Sequence, residues 1–383
     1  MKKILLIILG VAGFASVAWT QELHQYKYSL YDDYFMNPAY VGTNDYYNVL
    51  VGYDSRFSGL KDASPRTLYL NAHSKVGQGY LFKKDGKINK FFSKFGNSAF
   101  GMQLLHFTFG AQYEYNLGIT YGYHLELAPN LKTKRPRNLI LAFTPRLFVI
   151  GVDPQKFTNN DGNDIPELWD PILPTDLSDN MVVANFKADV GALFRTDYYD
   201  LGLSFLNINN AKHNFEQDTL RYGVTGYSIY DSIYSAQIAV NAKIKDLNIY
   251  ESRKFDVRFE PSAVFLYKPN AEDFDVYIDL ALDWNFYRLI TPIRKELTYN
   301  ISTGLYVSHT RFYEPSLTLL HPYIAFNFQD FAIHYTWHMN PNVEVPGYWG
   351  GNQITFTYTI GRDKIVRNVE NKADWKVKRT PGR

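Results

Sequence analysis

From Asp273 to Asn285 the chain alternates without interruption. Phe274, Val276, Ile278, Leu280, Leu282 and Trp284 are apolar, and Asp273, Asp275, Tyr277, Asp279, Ala281, Asp283 and Asn285 fill the places between them. A period of two puts successive side chains on opposite faces of a β-strand, so this segment reads as one long strand with an apolar and a polar side. The split returns in Tyr234, Ala236, Ile238, Val240, Ala242 and Ile244, in Phe331, Ile333, Tyr335 and Trp337, and in Ile354, Phe356, Tyr358 and Ile360. Past the first twenty residues, no segment carries a convincing apolar stripe of helical period.

Alternation alone suits a soluble sandwich as well as a membrane barrel. Length and flanks separate the two, because strands of soluble sheets cluster near five or six residues, whereas membrane strands need about 9 to 11 and carry aromatic residues near both interfaces. Here the strands run longer and often begin or end in Tyr, Phe or Trp, in a chain with 31 Tyr and 27 Phe. Fourteen such segments can be marked between 46–56 and 352–360, among them 233–246, 273–286 and 297–310. The expected fold is therefore all-β, an antiparallel transmembrane β-barrel of about fourteen strands.

The compartment follows from the first twenty residues. Lys2 and Lys3 precede an apolar run from Ile4 to Ala18, with small residues at Ser16 and Ala18. This is the pattern of a secretory signal peptide, cleaved after Ala18 or Thr20. The chain has no cysteine, which excludes a lipid-anchored lipoprotein, disulfides and Cys-ligated metal. The expected divisions are a signal peptide (1–20), an N-terminal segment (21–45), the outer-membrane barrel (46–360) and a tail (361–383). With the N-terminus in the periplasm, the long connections 153–182, 208–232 and 340–351 emerge outside the cell, as such barrels prefer. The connections 79–96 and 287–296 are then long for periplasmic turns.

A formal charge of +2 argues against affinity for nucleic acid built on phosphate neutralisation. No phosphate loop, dinucleotide glycine pattern, nucleophile elbow or zinc-protease motif occurs, so no enzyme, cofactor or metal is expected. His334 and His338 would lie roughly 13 Å apart along a strand, too far to share one zinc, and read as polar lumen residues. The loop holding Asp153, Asp161, Asp164, Glu167, Asp170, Asp176 and Asp179 fits no EF-hand spacing and reads as a solvated acidic loop, with calcium binding as the sharper alternative. With the apolar faces in lipid, Lys243, Arg258, Glu260, Asp275, Asp279 and Asp283 face the lumen. Mixed signs there favour a filled interior over a selective pore.

At Asn37-Pro38-Ala39-Tyr40-Val41-Gly42, then Arg56, then Ser64-Pro65-Arg66-Thr67 running into Leu68-Tyr69-Leu70-Asn71-Ala72-His73, the chain resembles the PorP/SprF family of outer-membrane proteins of the type IX secretion system of Bacteroidota. The likeness continues through Gly191 and Leu201-Gly202-Leu203-Ser204-Phe205-Leu206-Asn207 and ends near Gly350 to Ile360. Where the family usually has a Gln-Trp pair after the matched arginine, this chain has Phe57-Ser58. The resemblance implies contact with the periplasmic ring of the secretion machine, or capture of a secreted surface protein or adhesin through its C-terminal signal.

Physically, Asn37-Pro38-Ala39-Tyr40 reads as a turn, with Pro38 biasing Asn37 to an extended conformation and Gly42 free to take positive φ. Together with Arg56, Pro65 and Thr67 it marks either a structural plug entering the lumen or a partner-binding surface. The tail carries eight Lys or Arg against three Asp or Glu. Its Trp375, Lys376, Lys378 and Arg379 form a candidate periplasmic contact, beside the plainer reading of a solvated end. The leading expectation is a non-enzymatic barrel embedded in outer-membrane lipid that binds protein, and the rival is a passive channel or small-molecule transporter.

Overall fold

The computed structural model describes residues 33–43, 47–56, 64–76, 83–84, 87–88, 96–110, 112–127, 137–152, 181–209, 236–252, 254–269, 273–291, 294–310, 317–328, 330–339, 341, 350–360 and 366–368. Fourteen antiparallel strands close into one barrel. They are β1 (Tyr47–Ser55), β2 (Arg66–Lys75), β3 (Ser98–Phe109), β4 (Gln112–Leu127), β5 (Arg137–Val152), β6 (Met181–Arg195), β7 (Tyr199–Leu206), β8 (Gln237–Ile244), β9 (Phe255–Lys268), β10 (Asp273–Thr291), β11 (Arg294–Thr310), β12 (Leu317–Phe328), β13 (Phe331–His338) and β14 (Gly351–Ile360). Each pairs with the next, and the first and last pair from Tyr47↔Ile360 to Ser55↔Asn352. Closure leaves no edge, which is what a sheet in hydrocarbon requires of its backbone groups.

The alternation assigns the faces as expected. Ile119 (58% exposed), Phe356 (54%) and Phe331 (61%) point outward, and because such residues ring the whole barrel, lipid is their solvent. Asn71, Gln103, Thr120, Asp189, Asp256 and Thr355 are buried on the inner face.

Both chain ends of the barrel meet at one rim, which also carries the short turns between β6 and β7, β10 and β11, and β12 and β13. The opposite rim carries the long connections between β5 and β6, β7 and β8, and β13 and β14. The two longest connections, 153–180 and 207–236, lie on that opposite rim and mark it as the outer side. Near the periplasmic rim the rings of Tyr250, Phe255, Phe286, Tyr299 and Phe326 follow one another across the outer surface at centroid spacings of 5.0, 6.2, 4.6 and 6.0 Å. Aromatic rings at this level are the interfacial girdle of a membrane barrel.

Two expectations are corrected. The connection 287–296 is not a long turn, since β10 and β11 stay paired down to Thr291↔Arg294. Below the aromatic girdle the hairpin is in water, so Arg288, Arg294, Lys295 and Glu296 sit in strands without the alternation that lipid imposes. The strand expected over 233–246 ends at Ile244, because Asp246 takes φ 55 and breaks it. Leu247–Glu251 then resumes against the lower part of β9. From the tail, Val366–Asn368 pairs with Arg294–Glu296 at the periplasmic rim. Residues 1–32, the acidic loop and Trp375, Lys376, Lys378 and Arg379 lie outside the described residues.

Candidate functional site in the lumen

Residues 33–43 lie inside the barrel. Asp33–Phe35 and Pro38–Tyr40 each form a single 3-10 turn, and Asn37 joins them at φ −140 and ψ 111, the extended conformation favoured before proline. Pro38 loses nothing at the first helical position, where an N–H would have no intrahelical partner. The Asn37 side chain caps the second turn, its Oδ1 accepting from the Ala39 N–H at 2.9 Å.

The same side chain also fastens the segment to the wall. Asn37 Nδ2 donates to the Ala192 carbonyl of β6 at 3.2 Å and to Asn241 Oδ1 of β8 at 3.1 Å. Asn241 Nδ2 in turn donates to the Tyr40 hydroxyl at 2.6 Å. Asn37 is fully buried, so a missing partner here would cost about 1 to 3 kcal/mol. The wall makes room with glycine. A Cβ on Gly191 would strike Asn37 Oδ1, and one on Gly202 would strike the Asn37 and Asn241 amides. Two pieces of sequence far from the Asn-Pro-Ala-Tyr turn thus converge on it.

Further bonds fix the segment around the lumen. Ser204 Oγ donates to the Met36 carbonyl at 2.7 Å, Tyr34 donates to Thr120 Oγ1 at 2.5 Å, and Gln103 Nε2 donates to the Tyr34 carbonyl at 2.9 Å. The Gly42 N–H donates to His73 Nδ1 at 3.1 Å, and Arg195 Nη1 donates to the Thr43 carbonyl at 3.0 Å. Gly42 itself takes φ +62, as the turn requires. Apolar contacts add to these: Tyr34, Ala39, Tyr40 and Val41 pack with Ala99, Ile140 and Leu193, and Met36 packs with Leu206, Ala239, Leu266 and Tyr277. Burial pushes the Asp33 carboxyl up from its ordinary value, with Lys243 opposing the shift, and burial also raises the Tyr40 phenol.

Of the other residues singled out in the sequence, Arg56, Pro65 and Thr67 meet at the outer end of the β1 and β2 pair. There the Arg56 N–H donates to the Pro65 carbonyl at 3.0 Å, and Arg56 Nε donates to Asp54 Oδ2 at 2.9 Å. Lys243, Glu260, Asp279 and Asp283 line a lumenal cavity of about 210 Å³ with Asp33 and Met36. Lys243 Nζ lies 3.7 Å from Glu260 Oε2, Tyr323 donates to Asp279 at 3.0 Å, and Ser302 donates to Asp283 at 2.5 Å. Arg258 and Asp275 do not join them. Arg258 pairs with Asp256 and Asp246, and Asp275 pairs with Lys268 at 2.7 Å. Asp33 and Asn241 were not marked by the sequence, where nothing local distinguishes them. Among the described residues no group of three or more His, Asp or Glu could hold a metal ion.

The chain matches the family described as "Type IX secretion system membrane protein PorP/SprF" over residues 19–312. The match stops short of Gly350 to Ile360, where the sequence likeness was expected to end. No curated protein matches the sequence. Among solved structures, similar chains include a FadL homologue from Pseudomonas aeruginosa (10% identity, TM-score 0.40, covering 86% of this chain and 93% of that one). The CymD monoaromatic hydrocarbon channel (8%, 0.38, 88% and 93%) and a bacterial polysaccharide outer membrane secretin (10%, 0.34, 82% and 98%) are also similar.

Proposed function

The chain belongs to the PorP/SprF family of type IX secretion system membrane proteins, and on that premise we propose that it is a non-enzymatic, plugged outer-membrane barrel that binds a secreted surface protein. It recognises that protein through its C-terminal signal and retains it at the surface or helps its export. The observation that carries this reading is the seat of residues 33–43, which are bonded to β2, β3, β4, β6, β7 and β8 at once.

A segment anchored to so many strands is a poor gate for a diffusing solute. The cavity lined by Lys243 and Asp279 beside it, about 210 Å³ among the described residues, is smaller than the roughly 300 to 1,000 Å³ of pockets that hold small organic ligands. Both features speak against the passive channel. The Asn-Pro-Ala-Tyr turn then serves as the structural plug, and cargo is met at the rims, not through the lumen. On the periplasmic side the basic tail, begun by the strand Val366–Asn368, meets the ring components of the machine.

Co-purification from outer membranes tests the reading. A secreted surface protein of the same system should be recovered with the tagged full-length chain and lost when its C-terminal signal is deleted. Undiminished surface display of every such protein in cells lacking the chain would overturn the proposal.

A further inference from the structure

Near the outer mouth a file of inner-face side chains runs from one strand to another. Arg56 Nε contacts Asp54 Oδ2 at 2.9 Å, Asp54 Oδ1 contacts His338 Nε2 at 2.8 Å, His338 Nδ1 contacts His321 Nδ1 at 2.6 Å, and His321 Nε2 contacts Ser308 Oγ at 2.8 Å. Asp54, His338, His321 and Ser308 are each at least 96% buried. The file ties β1 to β13, β12 and β11. It passes over β14 where the cross-strand neighbour of His338 is Gly351, which has no side chain to block the reach.

The protons in this file can be assigned from its ends. An ionised Asp54 only accepts, so His338 carries its hydrogen on Nε2, and its Nδ1 is bare when the ring is neutral. The single hydrogen between the rings then belongs to His321 Nδ1, which leaves His321 Nε2 to accept from the Ser308 hydroxyl. Every polar atom is satisfied with both rings neutral. A first added proton is absorbed without loss, because His338 Nδ1–H can donate to His321 Nδ1 once His321 moves its hydrogen to Nε2 and Ser308 turns to accept. A second proton has no such place, because it sets two N–H groups face to face across 2.6 Å.

We propose that this file is a two-proton latch that holds the outer ends of β11, β12, β13 and β1 together at neutral pH and releases them in acid. The charges facing the pair are the Asp54 carboxylate and the Arg56 guanidinium, and the Tyr306 ring of β11 packs against His321 at 5.4 Å. Neither charge adds an acceptor between the rings, so the second proton must part them. The device is independent of which protein the barrel binds.

Backbone hydrogen exchange on the full-length protein in lipid nanodiscs tests the latch, followed from about pH 8 to about pH 4, the range that spans histidine titration, and corrected for the intrinsic pH dependence of exchange. Protection at 306–309, 318–321 and 336–339 should fall together, with the opening equilibrium changing about tenfold per pH unit once the closed file holds its first proton, since opening then takes up one more. The outer ends of β3 to β6 should stay protected. His321→Gln should remove this pH dependence, because one ring then remains and the amide oxygen can accept from its Nδ1–H. If that variant does not assemble, the wild-type profile decides alone. A pH-independent profile, an unchanged slope in His321→Gln, or a loss of protection spread evenly over all outer strand ends would overturn the proposal.

Discussion

Asn37 and Asn241 are 204 residues apart in the chain and share a hydrogen bond of 3.1 Å, from Nδ2 of the first to Oδ1 of the second. The contact joins the lumenal segment to β8, and through the Tyr40 hydroxyl it returns to the turn it started from. Asn37→Ala and Asn241→Ala should each lower stability by about 1 to 3 kcal/mol, since each leaves a buried amide or hydroxyl without its partner. Their sum should exceed the double variant by about 0.5 kcal/mol or more. A double-mutant cycle on denaturant unfolding in detergent checks this, and strict additivity would mean the two amides are not coupled.

Gly191 and Gly202 leave the space that the Asn37 side chain occupies. Replacing either by Val should push the segment off its seat while the strands stay paired, because inner-face changes leave the lipid-facing surface intact. Planar-bilayer recordings should then show steady conductance where the parent protein conducts poorly. A parent protein with large, steady conductance would count against the plugged barrel.

Ile278 faces lipid and Asp279 faces the lumen, one residue apart on β10. Ile278→Arg or Leu280→Arg should impair assembly, at a cost of about 2 to 4 kcal/mol for a cation near the bilayer midplane. Asp279→Asn should be tolerated, because an amide oxygen can still accept from Tyr323. The gel shift between boiled and unboiled samples reads both outcomes, and equal damage on the two faces would refute the assignment of lipid and lumen.

Truncation at residue 361 should leave the barrel assembled, because among the described residues it removes only the three pairs between Arg294–Glu296 and Val366–Asn368. It should weaken co-purification of the periplasmic ring proteins and surface display of the cargo. Full display with an intact ring contact would reduce the tail to a solvated end.

The sequence by itself determined the strands and their faces. In β10 the bilayer and the lumen demand opposite chemistry at successive residues, so the period of two is written locally, and even Tyr277 and Ala281 fall on the inner side with the aspartates. That local signal fades where lipid no longer enforces it, as at Arg288 to Glu296, where strand pairing continues in water through charged residues. The Asn-Pro-Ala-Tyr turn was also legible, since proline restricts its own and its neighbour's backbone. Where the turn sits, and what holds it there, was decided by tertiary structure alone. Asn241, Gly191, Gly202 and Ser204 meet it from three strands only after the barrel closes, and His338 meets Asp54 across 284 residues. Closure brings together inner-face residues whose spacing along the chain carries no trace of their distance in space.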